Sequence, residues 1–287
     1  MSDIGSTSRR RLLAGAALAT LPAWSKAAAP GLAAQRLGWA GVRLQLGETN
    51  LWIDPLSDAK VWGDALIDKL TPLERAGSDR FVLVTHRHPD HFDPAAAQRV
   101  LGTEGLLVTA ETVGALTLPA GVRSRVVPLY EPVLLGDLTV VAVPGADGYG
   151  DPQVSWIVSG GGRRVIHCGD TLWHGHWWKI ARQYGPFDAA FLPINGARFG
   201  WRRPASGVPA VMTPEQAVAA AAVIDAKLIV PIHYGIAPSP EYTETPHAAH
   251  ELSRAAASRS VDVEFVPSGA WLTWQAQPCD PRDPLCA

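Results

Sequence analysis

Three imidazoles and one carboxylate lie within the six-residue run HRHPDH. This run directly follows the apolar segment 81–85, which is typical of a buried strand. Because alternate residues point to the same side, His86 and His88 can hold one ion while Asp90 and His91 face a neighbouring position. Imidazole and carboxylate groups are usual ligands of zinc and similar divalent ions. The spacing therefore predicts a metal site, and a solvated loop that is rich in histidine is the less favoured interpretation.

Three more polar residues each follow a short apolar run of the chain. They are Asp147, Asp170 and His233. Taken singly, each is a weak signal, because an Asp or His at the end of a strand usually serves as a cap or as a satisfied polar residue. Loops that follow strands present side chains to a shared cleft, so we expect the three to join the histidine run. A carboxylate at position 170 could bridge two metals.

Short apolar runs bounded by Gly, Pro and Asp predict strands along most of the chain. The predicted strands are 42–46, 51–53, 81–85, 106–109, 125–128, 138–143, 154–159, 164–167, 189–192, 228–231 and 261–265. The predicted helices are 94–101, 172–184, 213–224 and 247–258. Hairpins at both ends, with strand–helix alternation between them, favour sheets packed face to face and covered outside by helices. We expect one domain, 30–275, followed by a short tail, 276–287.

The first 29 residues have the pattern of a twin-arginine export signal. Three consecutive arginines precede the apolar stretch 12–21, and small residues before Pro30 offer a cleavage site. The apolar stretch is too short for an ordinary transmembrane helix. We therefore expect a periplasmic or secreted protein that engages the twin-arginine translocase and keeps no stable membrane anchor after processing. A disordered basic tail and an uncleaved anchor are the alternatives.

Composition and the absence of other motifs narrow the function. The formal charge is −2 and the signal segment is basic, so the remaining chain is mildly acidic and nucleic acid is not an expected partner. The sequence has no Gly-x-Ser-x-Gly elbow and no phosphate-cradling glycine loop, which leaves hydrolysis by activated water. In an oxidising compartment Cys279 and Cys286 could pair, and free thiols are the alternative.

The chain resembles metal-dependent hydrolases of the metallo-β-lactamase fold. Within that superfamily it is most similar to the branch of ascorbate-6-phosphate lactonase and N-acyl phosphatidylethanolamine phospholipase D. The resemblance extends from about 37 to 274. It rests on the HRHPDH run and on the segments 52–55, 167–171, 185–188, 213–217 and 231–234. It implies an α/β fold, the αβ/βα four-layer sandwich, in which two mixed β-sheets carry helices on their outer faces.

The same resemblance implies a ligand set for two divalent ions. His86 and His88 would hold the first ion, and Asp170 would bridge the two. The second ion would be held by Asp90, His91 and His233.

Position 147 departs from the family pattern, which usually has a histidine there as the third ligand of the first ion. Asp147 can still ligate, because two histidines and one carboxylate form a known metal-binding face. Its negative charge would weaken the metal as a Lewis acid and favour harder ions. Zinc is the first expectation, and the aspartate makes manganese or iron the alternatives. A one-metal enzyme is the other interpretation.

These residues predict a hydrolase that acts on a small-molecule phosphodiester, lactone or ester. A bound metal pair lowers the pKa of a water and supplies hydroxide. Asp90 or Asp170 could orient that nucleophile and return a proton to the leaving group. Trp173, His176 and Arg198 are the predicted substrate contacts. A non-catalytic or weakly active metal-binding periplasmic protein is the main alternative, and an iron redox enzyme is disfavoured because the chain has no room for a partner redox domain.

Overall fold

The computed structural model describes residues 31–114, 116–275 and 282 of the chain. The predicted export signal, 1–29, and the pair Cys279 and Cys286 lie outside the described residues. The boundaries 30–275 and 276–287 accordingly stay predictions.

The first of two large sheets has six strands in the spatial order β1-β2-β3-β4-β5-β6. The first three strands are antiparallel neighbours, and β3 to β6 run parallel. The sheet is therefore mixed. Its strands are β1 (Ala33–Gly38), β2 (Gly41–Leu46), β3 (Thr49–Ile53), β4 (Asp79–Leu83), β5 (Leu106–Ala110) and β6 (Arg123–Val127).

The second large sheet has seven strands in the order β15-β13-β11-β10-β9-β8-β7. Strands β10, β11, β13 and β15 run parallel, whereas β7 to β10 are antiparallel neighbours. Its strands are β7 (Val133–Leu135), β8 (Leu138–Pro144), β9 (Val154–Gly160), β10 (Arg163–His167), β11 (Ala189–Pro193), β13 (Leu228–Ile232) and β15 (Asp262–Val263). A separate two-stranded ribbon consists of β12 (Arg198–Phe199) and β14 (Tyr242–Thr243).

Helices cover the outer faces of both large sheets. Helix α1 (Pro94–Leu101) packs on the first sheet, and an apolar cluster that includes Trp52, Val82 and Val100 fills the contact. The second sheet is covered by α2 (Trp177–Tyr184), α3 (Pro214–Val223) and α4 (Ala248–Ala257). The largest core cluster lies between the two sheets. The predicted four-layer sandwich with two mixed sheets is therefore confirmed.

Local capping explains why two helices begin where the sequence indicates. The Asp93 side chain accepts hydrogen bonds from two backbone N–H groups at the start of α1. Thr213 and Gln216 form a capping box at the start of α3, with Thr213 N donating to Gln216 Oε1 at 3.0 Å. Helix α1 has the predicted bounds. None of the four helices is long enough to cross a membrane, and no other described helix is.

Among the elements that differ from the prediction, two have a cause that the structure shows. Helix α2 begins at Trp177 instead of 172, because Leu172 N donates to Ala146 O at 2.7 Å and so ties this segment to a neighbouring loop. Strand β1 was not predicted, because Gln35 and Arg36 interrupt its apolar pattern. Arg36 is buried there in an ion pair with Asp68, a partner that the local sequence does not reveal.

The strand order places four loops at one edge of the sandwich. The histidine run follows β4, Asp147 follows β8, Asp170 follows β10 and His233 follows β13. The parallel strands β10 and β13 flank β11, so the loops after them open at the same edge of the second sheet. Two backbone hydrogen bonds connect this sheet to its neighbours. Val154 N donates to Thr85 O in the histidine loop, and His233 N donates to Trp39 O beside the first sheet. The fold therefore brings distant segments to one place.

Candidate metal centre

The structure brings together all seven predicted metal ligands in two groups that share one carboxylate. In each group the four potential ligand atoms lie within 4.8 Å of one another. Three carboxylates and four imidazoles at this spacing have the chemistry of a two-metal site. The first group is His86, His88, Asp147 and Asp170, and the second is Asp90, His91, Asp170 and His233.

A buried carboxylate, Asp54, determines which nitrogen of His91 is free. His91 Nδ1 donates a hydrogen bond to Asp54 Oδ2 at 2.8 Å, so in the neutral ring Nε2 carries the lone pair. That nitrogen lies 2.8 Å from Asp170 Oδ1 without the alignment of a hydrogen bond. Two acceptors at this distance repel each other unless a positive charge lies beside them. The pair therefore fits a metal ion.

The carboxylates around His91 favour a positive charge at this position. Burial disfavours the imidazolium, but the Asp170 and Asp90 carboxylates outweigh burial and raise the pKa of His91 well above its ordinary value. Burial alone would raise the pKa of Asp170, yet the His233 and His91 imidazoles hold it well below its usual range. Asp170 is therefore ionised, and a bound cation can take the place of a proton at this position.

His233 completes the second group from the other sheet. It has a φ of +55°, and its Nε2 lies 2.7 Å from Asp170 Oδ1 and 3.8 Å from Asp90 Oδ2. That nitrogen is buried without a hydrogen bond. The ring packs on Trp39 at a centroid distance of 4.0 Å, which fixes its orientation. His233 therefore directs an unsatisfied nitrogen at the same carboxylate as His91 does.

His86 is held in the neutral form that ligates metals. The Thr85 hydroxyl donates to Asp54 Oδ2 at 2.5 Å, so it accepts the hydrogen bond from His86 Nδ1 at 3.0 Å. His86 Nε2 is left free, buried and 3.9 Å from Asp170 Oδ2. Burial and the charge of His91 lower the pKa of His86 well below its ordinary value, although Asp170 opposes this.

His88 is oriented by an aspartate that the sequence interpretation missed. Its Nε2 lies 3.0 Å from Asp151 Oδ2, which leaves Nδ1 toward Asp147 Oδ2 at 3.8 Å. Asp147 is fixed in turn, because its Oδ1 accepts the backbone N–H of Tyr149 at 2.6 Å. Burial raises the pKa of Asp147, and the N–H of Tyr149 opposes the shift. The aspartate thus occupies the third position around the first group.

Asp54, Asp151 and Gln153 are the supporting residues that spacing did not assign. Gln153 Oε1 accepts the backbone N–H of Asp170 at 3.0 Å and so fixes the shared carboxylate. Asp54 lies 37 residues before His91. In the sequence, only its position in segment 52–55, which contributes to the family resemblance, indicated a functional role. Partners of this kind orient the ligands and set their tautomers.

A cavity of about 410 Å³ opens onto the two groups. Five of the seven candidate ligands line it, namely His88, Asp90, Asp147, Asp170 and His233. Its other walls are largely aromatic and apolar. They include Val61, Trp62, Tyr149, Phe199, Trp201 and Arg202. The volume suits a small molecule.

The three predicted substrate contacts lie away from this cavity. Trp173 packs against Trp178 at a centroid distance of 5.7 Å, and His176 precedes α2. Arg198 Nη1 donates to Gly207 O at 3.0 Å, and its side chain lines an adjoining pocket. Their contact with substrate stays a prediction, while Trp201 and Arg202 of the same loop line the cavity itself.

Comparisons with known proteins agree with the fold and with the metal chemistry. Residues 49–234, more than half of the chain, match the β-lactamase superfamily domain. A UPF0173 metal-dependent hydrolase from Rubrobacter xylanophilus is 30% identical over 248 residues, which cover 80% of this chain and 90% of the relative. The chain therefore belongs to the β-lactamase superfamily, and it is a metal-dependent hydrolase of the metallo-β-lactamase fold.

Solved structures show the same fold at low sequence identity. Igni18, a metallo hydrolase from Ignicoccus hospitalis KIN4/I, gives a TM-score of 0.61 at 19% identity and covers 84% of this chain and 97% of its own. CmlA, a diiron β-hydroxylase from Streptomyces venezuelae, gives 0.64 at 16% identity over 85% of this chain and 54% of its own. At these identities the likeness concerns the fold. The resemblance to the lactonase and phospholipase branch stays a prediction.

Replacing Asp54 with asparagine tests whether this carboxylate sets the tautomer of His91. Thr85 N donates to Asp54 Oδ1, so the new amide NH₂ group takes the place of Oδ2 and faces His91 Nδ1–H. We expect metal affinity to fall about 10–100-fold, the usual effect of losing such a partner. Competition with a chromophoric chelator measures the affinity.

The matched control is Asp79→Asn, an exposed carboxylate on β4. It should bind metal as the wild type does. Far-UV circular dichroism with chelator present shows whether each variant is folded. A folded Asp54→Asn protein with wild-type affinity would contradict the orienting role.

Proposed function

We propose that the protein is an exported hydrolase that cleaves a phosphodiester, lactone or ester bond in a small molecule by attack of an activated water. The observation that carries the proposal is the pair of ligand groups that share Asp170 and face one cavity. Support for phosphodiester or lactone chemistry comes from the resemblance of the sequence to the lactonase and phospholipase branch. Support for a small substrate comes from the size of the cavity.

The unsatisfied buried atoms favour two divalent ions at this centre. His86 Nε2, His91 Nε2 and Asp170 Oδ1 are all buried without hydrogen bonds, which is costly unless an ion satisfies them. Metal bound by these residues would supply a water of lowered pKa and positive charge for a developing carbonyl or phosphoryl oxyanion. Three carboxylates offer hard oxygen ligands, so manganese and iron are candidates beside zinc.

The residues of the chain divide the remaining tasks. Asp90 lines the cavity, and its Oδ2 lies 3.8 Å from both His91 Nε2 and His233 Nε2. It therefore stands where it can accept a proton from a water and pass it to a leaving group. Asp170 holds the two ligand groups together and orients the same water. The aromatic walls exclude bulk solvent and can pack against an apolar part of the substrate.

Removing the shared carboxylate tests the proposal. Asp170→Asn takes one ligand and one negative charge from both groups, so we expect metal content to fall from about two ions per chain to below one. Turnover of bis(p-nitrophenyl) phosphate or of a generic lactone should fall at least about 100-fold. Elemental analysis and initial rates measure the two effects.

The control for this experiment is Asp262→Asn, an exposed carboxylate on β15. It should keep the metal content and rate of the wild type. In the wild type, a chelator should abolish turnover, and one of zinc, manganese or iron should restore it. A protein that binds two ions but turns over no phosphodiester, lactone or ester would favour the non-catalytic alternative.

We further propose export through the twin-arginine route, supported by the arginine run at 9–11 and the apolar stretch that follows. Changing Arg9, Arg10 and Arg11 together to lysine keeps the charge and removes the signal. The full chain should then remain in the cytoplasm as precursor, whereas the wild type reaches the periplasm as a shorter product. Cell fractionation with mass spectrometry measures this. Equal fractionation of the two chains would contradict the route.

A further inference from the structure

A second pocket, of about 370 Å³, adjoins the metal cavity. The two share four residues in their walls: Tyr149, Phe199, Arg202 and Ala210. A ligand that fills both would place one part against the candidate metal ligands and another part in the second pocket. We call this second space the arginine pocket, because its wall contains Arg198, Arg202 and Arg203.

The charge of the arginine pocket is uncompensated. No carboxylate lines it, and within the described part of the chain none of its three arginines forms an ion pair. Arg198 Nη1 donates to Gly207 O at 3.0 Å, and Arg203 Nη1 donates to Gly200 O at 2.7 Å. Carbonyl groups position these guanidinium groups but do not neutralise them. The pocket therefore offers an anion several charged donors in one place.

Arg202 lies in the wall between the two spaces. Its Cζ lies 3.5 Å from the centroid of the Tyr149 ring and 4.7 Å from that of Trp201. Stacking of this kind holds the guanidinium plane and leaves its N–H edge for another partner. Its Nε is buried and donates to no acceptor. Arg202 as a whole is only partly buried, so its guanidinium can reach an acceptor that enters the pocket.

We propose that the arginine pocket binds an oxyanion group of the substrate, a phosphate or a carboxylate, with Arg202 as its forked donor. This inference rests on the proposed function, since it takes the metal cavity as the place of bond cleavage. It narrows the substrate class to small molecules that carry an anionic group beside the bond that is cleaved. It also assigns the oxyanion contact to Arg202, whereas the sequence interpretation named Arg198 among three predicted substrate contacts.

The geometry fits recognition of a planar or tetrahedral oxyanion. A guanidinium can donate two parallel N–H bonds to one phosphate or carboxylate, which an ammonium cannot do. Trp201 and Tyr149 hold Arg202 in advance, so little side-chain freedom is lost on binding. Burial raises the pKa of Tyr149 above its ordinary value, although Arg202 opposes this, so the ring remains a neutral stacking partner.

The first test measures anion binding without metals, so that it does not depend on catalysis. Chelated wild-type protein is titrated with inorganic phosphate and, separately, with acetate by calorimetry. Arg202→Gln should weaken binding of the preferred anion at least tenfold, and Arg202→Lys should weaken it by a smaller factor because the charge remains. The matched control is Arg125→Gln, which removes an exposed arginine on β6 and should leave binding unchanged.

The relative affinities for phosphate and acetate show which oxyanion the arginine pocket prefers. Circular dichroism and thermal melting show whether each variant is folded. If Arg202→Gln does not fold, the binding comparison uses Arg202→Lys instead. Binding of neither anion by the wild type, or equal binding by the wild type and the folded Arg202 variants, would overturn the proposal.

The second test uses the metal-loaded enzyme and two ester substrates that differ only in a carboxylate beside the scissile bond. Arg202→Gln should raise KM for the charged substrate about tenfold more than it raises KM for the neutral one. Equal effects on both substrates would overturn the subsite. If the chelated protein binds anions through Arg202 but the loaded enzyme turns over no substrate, the proposed function fails and the anion site stands.

Discussion

The Asp170 carboxylate and the buried imidazole nitrogens that face it form the contact on which the rest of the centre depends. One carboxylate oxygen lies 2.8 Å from His91 Nε2 and 2.7 Å from His233 Nε2, and the other lies 3.9 Å from His86 Nε2. None of these contacts has the geometry of a hydrogen bond within the described structure. So many acceptors can share a buried space only around positive charge. The centre is therefore built for cations.

The need to hold these acceptors together explains the supporting contacts around them. Asp54 accepts hydrogen bonds from Thr85 and His91 at once, so one carboxylate orients ligands of both groups. Asp151 orients His88 through a contact with its Nε2. Their aspartate charges add to those of the ligands, which makes the centre strongly negative without metal. Arg202 supplies positive charge at the cavity wall.

Local patterns indicated the strands and the polar residues that follow them, whereas the family resemblance implied the four layers and the seven candidate ligands. Apolar runs indicate strands, and Asp147, Asp170 and His233 each stand directly after one. The orienting partners could not be found in this way, because Asp54 and His91 are 37 residues apart and Asp151 and His88 are 63 apart. The start of α2 was placed too early for the same reason, since a contact with Ala146 overrides helical propensity. Preferring Arg202 to Arg198 likewise depends on the geometry of the loop, which the sequence does not show.

We propose that two metal ions share Asp170, with Asp147 serving in place of a histidine. Crystals of the zinc-loaded protein, measured at the zinc absorption edge, test this through anomalous scattering. Two peaks roughly 3.5–4 Å apart are expected. One peak should lie among His86, His88 and Asp147, the other among Asp90, His91 and His233, with Asp170 bound to each. A single peak, or two peaks of which neither is bound by Asp147, would show that the metal centre is not built in this way.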